Sequence, residues 1–155
     1  MYLDDINRFT RTKEFAMSGK FEKFAPHILG LTRILFGVML ASHGAQKVLG
    51  AFGGVPEGTP AAIVWVAGSI ELLGGALIAL GLFTRPAAFL NSGLLAVAYF
   101  MAHAPKGFWP IENGGELAII YSWFSLYLVA RGPGAFALER VLTARRELAS
   151  RPAIA

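Results

Sequence analysis

Long apolar runs alternate along this chain with short stretches rich in glycine and proline. The runs cover about residues 28–49, 61–82, 86–104 and 116–130. At 1.5 Å per helical residue, the first two, of about 22 residues each, are long enough to cross a bilayer core. The third, of about 19, is nearly so, whereas the fourth, of about 15, is short and is predicted to extend back into the preceding loop. The pattern therefore predicts four transmembrane helices at about 28–49, 61–82, 86–104 and 113–131. Breakers lie between them: Gly50, Gly53, Gly54, Pro56, Gly58 and Pro60, then Thr84-Arg85-Pro86, then Pro105, Gly107, Pro110, Gly114 and Gly115. Gly132-Pro133-Gly134 ends the last run. Pro86 suits a helix start, where its missing N–H would have no partner anyway.

Composition points to the same solvent. Of 155 residues, 55% are apolar and 15% charged, against roughly 25% charged in soluble domains, and the mean hydropathy is +0.53. Charge concentrates at the two ends of the chain. The fold class expected is an all-α membrane protein, a four-helix bundle with amphipathic interfacial flanks. Its organisation reads as an N-terminal cytoplasmic or interfacial segment (1–27), a transmembrane domain (28–131) and a cytoplasmic amphipathic segment (132–155). The first 27 residues lack the apolar core of a signal peptide, so the first span is expected to direct insertion.

Lysine and arginine set the orientation. Eleven lie on one side: Arg8, Arg11, Lys13, Lys20 and Lys23, then Arg85, then Arg131, Arg140, Arg145, Arg146 and Arg151. Two, Lys47 and Lys106, lie on the other. That bias predicts both termini in the cytoplasm, and it accounts for the net charge of +4 without a nucleic-acid partner. Leu138, Val141, Leu142, Arg145 and Leu148 recur at helical spacing, as expected of a helix lying on the inner leaflet. Phe9, Phe15, Phe21 and Phe24 suggest a less regular counterpart at the N-terminus. The chain has no cysteine, which excludes disulfide, CxxC and iron–sulfur chemistry within it.

An ionisable side chain inside a span requires an explanation. Glu71 falls near the middle of the second run, with Gly68, Gly74 and Gly75 on or beside its face, where a neighbouring helix can approach closely. Either it is held neutral or paired for packing, or it carries protons or orients a ligand. Arg33, on an arc of the first run with Gly37, Leu40, Gly44 and Lys47, is the expected counter-ion, with His43 at the edge of that arc. Snorkelling to the head groups is the alternative for Arg33. A second polar group gathers at the outer end: His43, Gln46, Lys47, His103 and Glu116. On the fourth run Glu116, Ile120, Trp123 and Tyr127 form a stripe that suits a flat ring with polar substituents, or else ordinary packing. His43 and His103 are each alone on their helices, so no metal site is expected. Helices one and three both end with His then Lys, a faint sign of a duplicated hairpin.

The motifs Arg33-Ile-Leu-Phe-Gly, His43-Gly-Ala-Gln-Lys47 and Phe52-Gly-Gly, then Glu71-Leu-Leu-Gly-Gly, Gly81-Leu-Phe-Thr-Arg85-Pro, Asn113-Gly-Gly-Glu116 and Gly132-Pro-Gly134 together resemble the DoxX family, over about residues 28–142. The resemblance implies a four-helix bundle in a bacterial cytoplasmic (inner) membrane. It also implies a role near quinone and sulfur redox chemistry, as a membrane subunit or a membrane partner of redox enzymes. The function expected is thus a redox-associated subunit with a quinone-type pocket between the helices. Glu71, Arg33 and His43 would be its reactive groups, and His103, Glu116, Trp123, Tyr127, Lys47 and Gln46 its ligand contacts. Quinone is the one small-molecule cofactor suggested. The partners expected are the lipid bilayer and either a protein partner or a second copy. A non-catalytic scaffold that recruits a partner enzyme is the alternative, and a small proton-coupled transporter a third.

Overall fold

The structure, a computed structural model, describes residues 22–150. Phe9, Phe15 and Phe21 lie outside that range. Among the described residues six helices follow one another, with a 3₁₀ turn at Ala51–Gly53 after the first: α1 (Ala25–Leu49), α2 (Ile63–Leu80), α3 (Thr84–Lys106), α4 (Pro110–Asn113), α5 (Glu116–Arg131) and α6 (Leu138–Ala149). No strand occurs among the described residues. α1, α2 and α3 are each long and apolar enough to cross a membrane. α2 opens with a π-helical turn at Ile63–Ala67, and α3 widens into another at Tyr99–His103 before a closing 3₁₀ turn.

The backward extension expected of the fourth apolar run does not occur. Gly114 adopts φ 69° and ends the one-turn α4, so α5 starts only at Glu116 and has 16 residues. Asn113 holds the break: its Oδ1 accepts from the Gly115 N–H at 2.8 Å, and its Nδ2 donates to the Gly107 carbonyl at 2.8 Å.

An apolar core of Phe36, Leu40, Ile78, Leu95 and Leu128 is joined inside the bundle by polar side chains, and the outside is apolar too. Arg33, Thr84, Asn91 and Ser125 are fully buried, while Leu31, Leu35, Leu73, Phe89, Leu90 and Phe100 stand exposed around the outside. So large an apolar surface belongs in lipid.

α1 and α2 make the most extensive contact, α3 and α5 the next, and α2 with α3 joins the two hairpins. The first hairpin is held backbone to backbone through glycines. A methyl group on Gly37 would lie 2.4 Å from the Ala79 nitrogen, and one on Gly44 2.2 Å from the Leu72 nitrogen. Gly75 fits against Ala41 in the same way. The second hairpin uses serines: Ser92 and Ser122 each donate to the other's carbonyl at 2.9 Å. Phe36, Tyr121 and Phe124, edge to face at 5.1 and 4.8 Å, fill the wider space between α1 and α5.

The two hairpins share a device. Arg33 near the start of α1 donates to the carbonyls of Ile78 and Ala79, 45 and 46 residues later, in the last turn of α2. Arg85 near the start of α3 donates to Val129 and Ala130, 44 and 45 residues later, in the last turn of α5. Each places a cation where a helix end presents unpaired carbonyls and the negative pole of its dipole.

Candidate functional site

Arg33 lies at one end of the bundle and does not meet Glu71. Its Nε donates to the Pro133 carbonyl at 2.7 Å, one terminal nitrogen to Ile78 and Ala79, and the other to Ala135 and Phe136 at 3.2 and 3.0 Å. A guanidinium has five N–H groups, and here five carbonyls receive them. Three belong to the 132–137 stretch, a non-helical segment tucked against α1: Ala135 N–H donates to the Pro26 carbonyl at 2.8 Å, and a methyl on Gly30 would meet the Ala135 oxygen. Irregular backbone at this depth requires internal partners. Arg33 supplies them, so it is a structural clamp with no donor left for a ligand. The expected Arg33–Glu71 pair fails because these nearer carbonyls consume the guanidinium. The surrounding chain adds a third tie, in which the Glu139 carboxylate accepts from the Thr84 N–H at 3.2 Å, at the start of α3.

Glu71 pairs instead with Lys47, Nζ to Oε2 at 2.5 Å, with side chains 8% and 18% exposed respectively. The glycine contacts explain how a residue at the far end of α1 reaches it. Gly37 opposite Gly75 and Ala79, and Gly44 opposite Gly68 and Leu72, set an antiparallel register that brings His43 level with Glu71 and Leu40 level with Gly74. Lys47 then lies about one turn, ~6 Å, beyond Glu71 and reaches back along the seam.

Around this level polar groups from several helices are set among the apolar core residues Phe36, Leu40 and Leu95. The His43 ring meets the Tyr121 ring edge to face at 6.1 Å. Asn91 lies on Gly74, where only a glycine leaves room: a methyl there would lie 2.0 Å from the Asn91 Nδ2. Ser125 is one turn from Tyr121 on the buried face of α5. Asn91 Oδ1, Tyr121 OH and Ser125 Oγ are all buried with no hydrogen-bond partner. Each helix of the bundle thus contributes to a polar layer that spans several turns: His43 and Lys47 from α1, Glu71 from α2, Asn91 from α3, Tyr121 and Ser125 from α5.

Sequence reasoning placed the stripe on α5 one face away. Glu116, Ile120, Trp123 and Tyr127 are all exposed, and the buried stripe is Tyr121, Ser125 and Leu128. The polar members of the inward stripe were the available signal, since Ser125 is hard to explain on a lipid-facing position. His103 is tied elsewhere, with Nδ1 donating to the Asn113 carbonyl at 3.1 Å and its ring stacked on Tyr99 at 6.3 Å. It helps order the α3–α5 connection and does not join His43. Gln46 is half-buried beside Lys47 and outside the ion pair.

A groove of about 450 Å³ runs along the outside of the α1–α2 hairpin, lined by residues that include Val38, Ala41, Ala45, Leu72, Ala76 and Phe52. None of the polar layer lines it, so the ring pocket expected between the helices is not this groove. Chemically, the layer offers an acid with its counter-ion, an imidazole, a phenol, an amide and a hydroxyl. Such groups can hold a proton or the polar head of a neutral ligand.

Comparison with known proteins gives relatives of the same kind. The DoxX family model matches residues 28–104. A protein of Haemophilus influenzae, described as uncharacterized, is 47% identical over 128 residues, covering 76% of this chain and 92% of that protein. A second uncharacterized protein of that organism is 34% identical over 84 residues, covering 54% of this chain and 56% of its own length. No solved structure matches.

Proposed function

This chain belongs to the DoxX family of membrane proteins, and from that premise we propose that it serves as a redox-associated subunit of the bacterial cytoplasmic membrane. In this reading α5 is a fourth crossing and both termini are cytoplasmic. The exposed Ile120, Trp123 and Leu126 on α5 and the arginines gathered at one end support that topology. The Glu71 layer is the working part, and Arg33 is excluded from it. The observation that carries the proposal is the set of three buried oxygens without partners, of which the Tyr121 OH belongs to a ring beside the His43 imidazole and the Asn91 Oδ1 to an amide packed on Gly74, one turn from Glu71. Leaving such groups unpaired costs about 1–3 kcal/mol each, a cost that a polar ligand head would relieve.

A quinone fits the donor set. Its ring oxygens accept hydrogen bonds when oxidised and donate when reduced, and the Tyr121 hydroxyl can do either. Glu71, exchanging its Lys47 partner, would hold or release a proton beside it, and His43 would do so from the opposite helix. The test is thermal unfolding in mild detergent with a short-chain quinone added. The melting temperature should rise with the logarithm of quinone concentration above Kd. Tyr121→Phe and His43→Ala should weaken that rise, while Trp123→Leu, on the outer face, should leave it intact. A rise that is equal in all variants, or absent in the parent, would overturn the quinone assignment.

A second reading is favoured by the exposed aromatic stripe of α5. Trp123 and Tyr127 on the outer face suit a neighbouring helix of a partner protein, as in a scaffold subunit. Loss of a co-purifying partner on Trp123→Leu, with no quinone response, would support it.

A further inference from the structure

α6 is fixed at one end and free along the rest. Its first turn is anchored twice to the bundle, by the Glu139 N–H on the Gly81 carbonyl at 3.0 Å and by the Glu139 carboxylate on Thr84. From Arg140 to Ala149 every residue is exposed. Between the polar side of this helix and the bundle lies a cleft of about 470 Å³, lined by Arg85, Pro133, Glu139, Arg140, Thr143, Ala144 and Glu147. On the other side Leu138, Val141, Leu142 and Leu148 form an apolar arc without protein cover. Arg145 stands within the arc, where its long stem lets the charge reach water, and Arg146 borders it. Phe83 and Phe136, on the loops beside the helix, are also exposed. Both hold left-handed backbone, φ 46° and 56°, so two bulky side chains are presented outward at this end despite a strained conformation.

We propose that the apolar arc of this arm docks on the bilayer surface at the arginine-rich end, where Arg145 within the arc and Arg146 at its edge hold the phosphates of anionic phospholipids, while the cleft on the opposite side, lined by two arginines and two glutamates, faces away from the lipid. The choice of occupant follows from charge and position. Arg140, Arg145 and Arg146 outnumber Glu147 on the free part of the helix, and of these charges Arg145 and Arg146 lie in and beside the apolar arc. The helix starts at the end of the bundle where α1 and α3 begin and α2 ends, and so beside the surface of a bilayer those three helices would cross. An apolar arc flanked by arginines at that surface has the composition of an interfacial helix. The arm is also continuous with the segment that Arg33 clamps, so lipid held by the arm stabilises the bundle by mass action.

The experiment uses the full chain in nanodiscs of phosphatidylcholine alone, or of phosphatidylcholine mixed with phosphatidylglycerol, with the melting temperature as readout. The parent should melt higher in the anionic mixture, and raised salt should erase the difference. Arg145→Gln combined with Arg146→Gln should lose most of that difference, whereas Arg140→Gln, on the opposite side of the helix, should keep most of it. Inorganic phosphate added to the phosphatidylcholine discs should do nothing. No difference between the lipids in the parent, an unchanged difference when Arg145 and Arg146 are both replaced by Gln, or a full effect from inorganic phosphate would each overturn the proposal. So would stabilisation only by a soluble protein bound to the arm.

Discussion

The two ends of the bundle treat their cations in opposite ways. At the end where α1 and α3 begin, Arg33 and Arg85 donate to carbonyls of the last turns of α2 and α5, and Glu139 closes the start of α3. Arg33 has five donors and five acceptors, which leaves nothing for chemistry. Towards the opposite end, Lys47 pairs with Glu71 through one oxygen, and Tyr121 OH nearby has no partner. The contrast separates two kinds of intramembrane charge that look alike in sequence. A saturated cation fixes backbone, whereas an ion pair beside unsatisfied oxygens retains the capacity to exchange a proton or bind a ligand.

The sharpest way to break this comparison is to remove the saturated cation. Arg33→Ala leaves carbonyls of α2 and of the 132–137 stretch without donors, in a region with little water to replace them. A loss of about 3–5 kcal/mol is expected, the range for breaking a buried charged network, seen as loss of the monodisperse peak on heating in detergent. Arg33→Lys keeps the charge but cannot span the two groups of carbonyls, so it should recover only a minor part. A stable Arg33→Ala protein would show that the clamp is dispensable.

A smaller effect is expected at the ion pair, and it has a different signature. Lys47→Met and Glu71→Gln should each cost about 1–3 kcal/mol, because each leaves the partner poorly compensated. The double variant should lose less than the sum. Combining Arg33→Ala with Glu71→Gln should instead give additive losses, measured in the same melts. Coupling between Arg33 and Glu71 would mean that the two ends are not separate.

Arg85→Gln should give the smallest change, about 0.5–1.5 kcal/mol, the value of an ordinary hydrogen bond, since Arg85 is exposed where Arg33 is buried. If it matched Arg33→Ala, the two hairpins would be equally dependent on their arginines, and the difference in burial would carry no energetic weight.

Residue patterns that act locally were legible in the sequence. Apolar run length located α1, α2 and α3, the inward arc of Arg33, Gly37, Leu40 and Gly44 followed from helical spacing, and the amphipathic pattern at 138–148 forecast α6. The joint order of short motifs was enough to suggest the family. Each of these depends on neighbours a few residues away, and helical geometry converts such spacing directly into faces.

Pairings across the chain were not legible, because they depend on register and on competition. Arg33 had two plausible fates on paper, Glu71 or the head groups. It took neither, because the 132–137 stretch folds back about 100 residues later and offers carbonyls at contact distance. Lys47 reaches Glu71 only because glycines bring the α1 and α2 backbones together in one register. Which face of α5 turns inward was likewise open from its composition, since Trp123 and Tyr127 suit lipid as well as a core, and the Ser92–Ser122 contact with α3 decided it. The sequence by itself determined which residues had to be shielded from lipid, because the energetic cost of exposing them is a property of each side chain. Only the tertiary structure decided with what they are satisfied, because that depends on which donors and acceptors the packed backbone brings within about 3 Å.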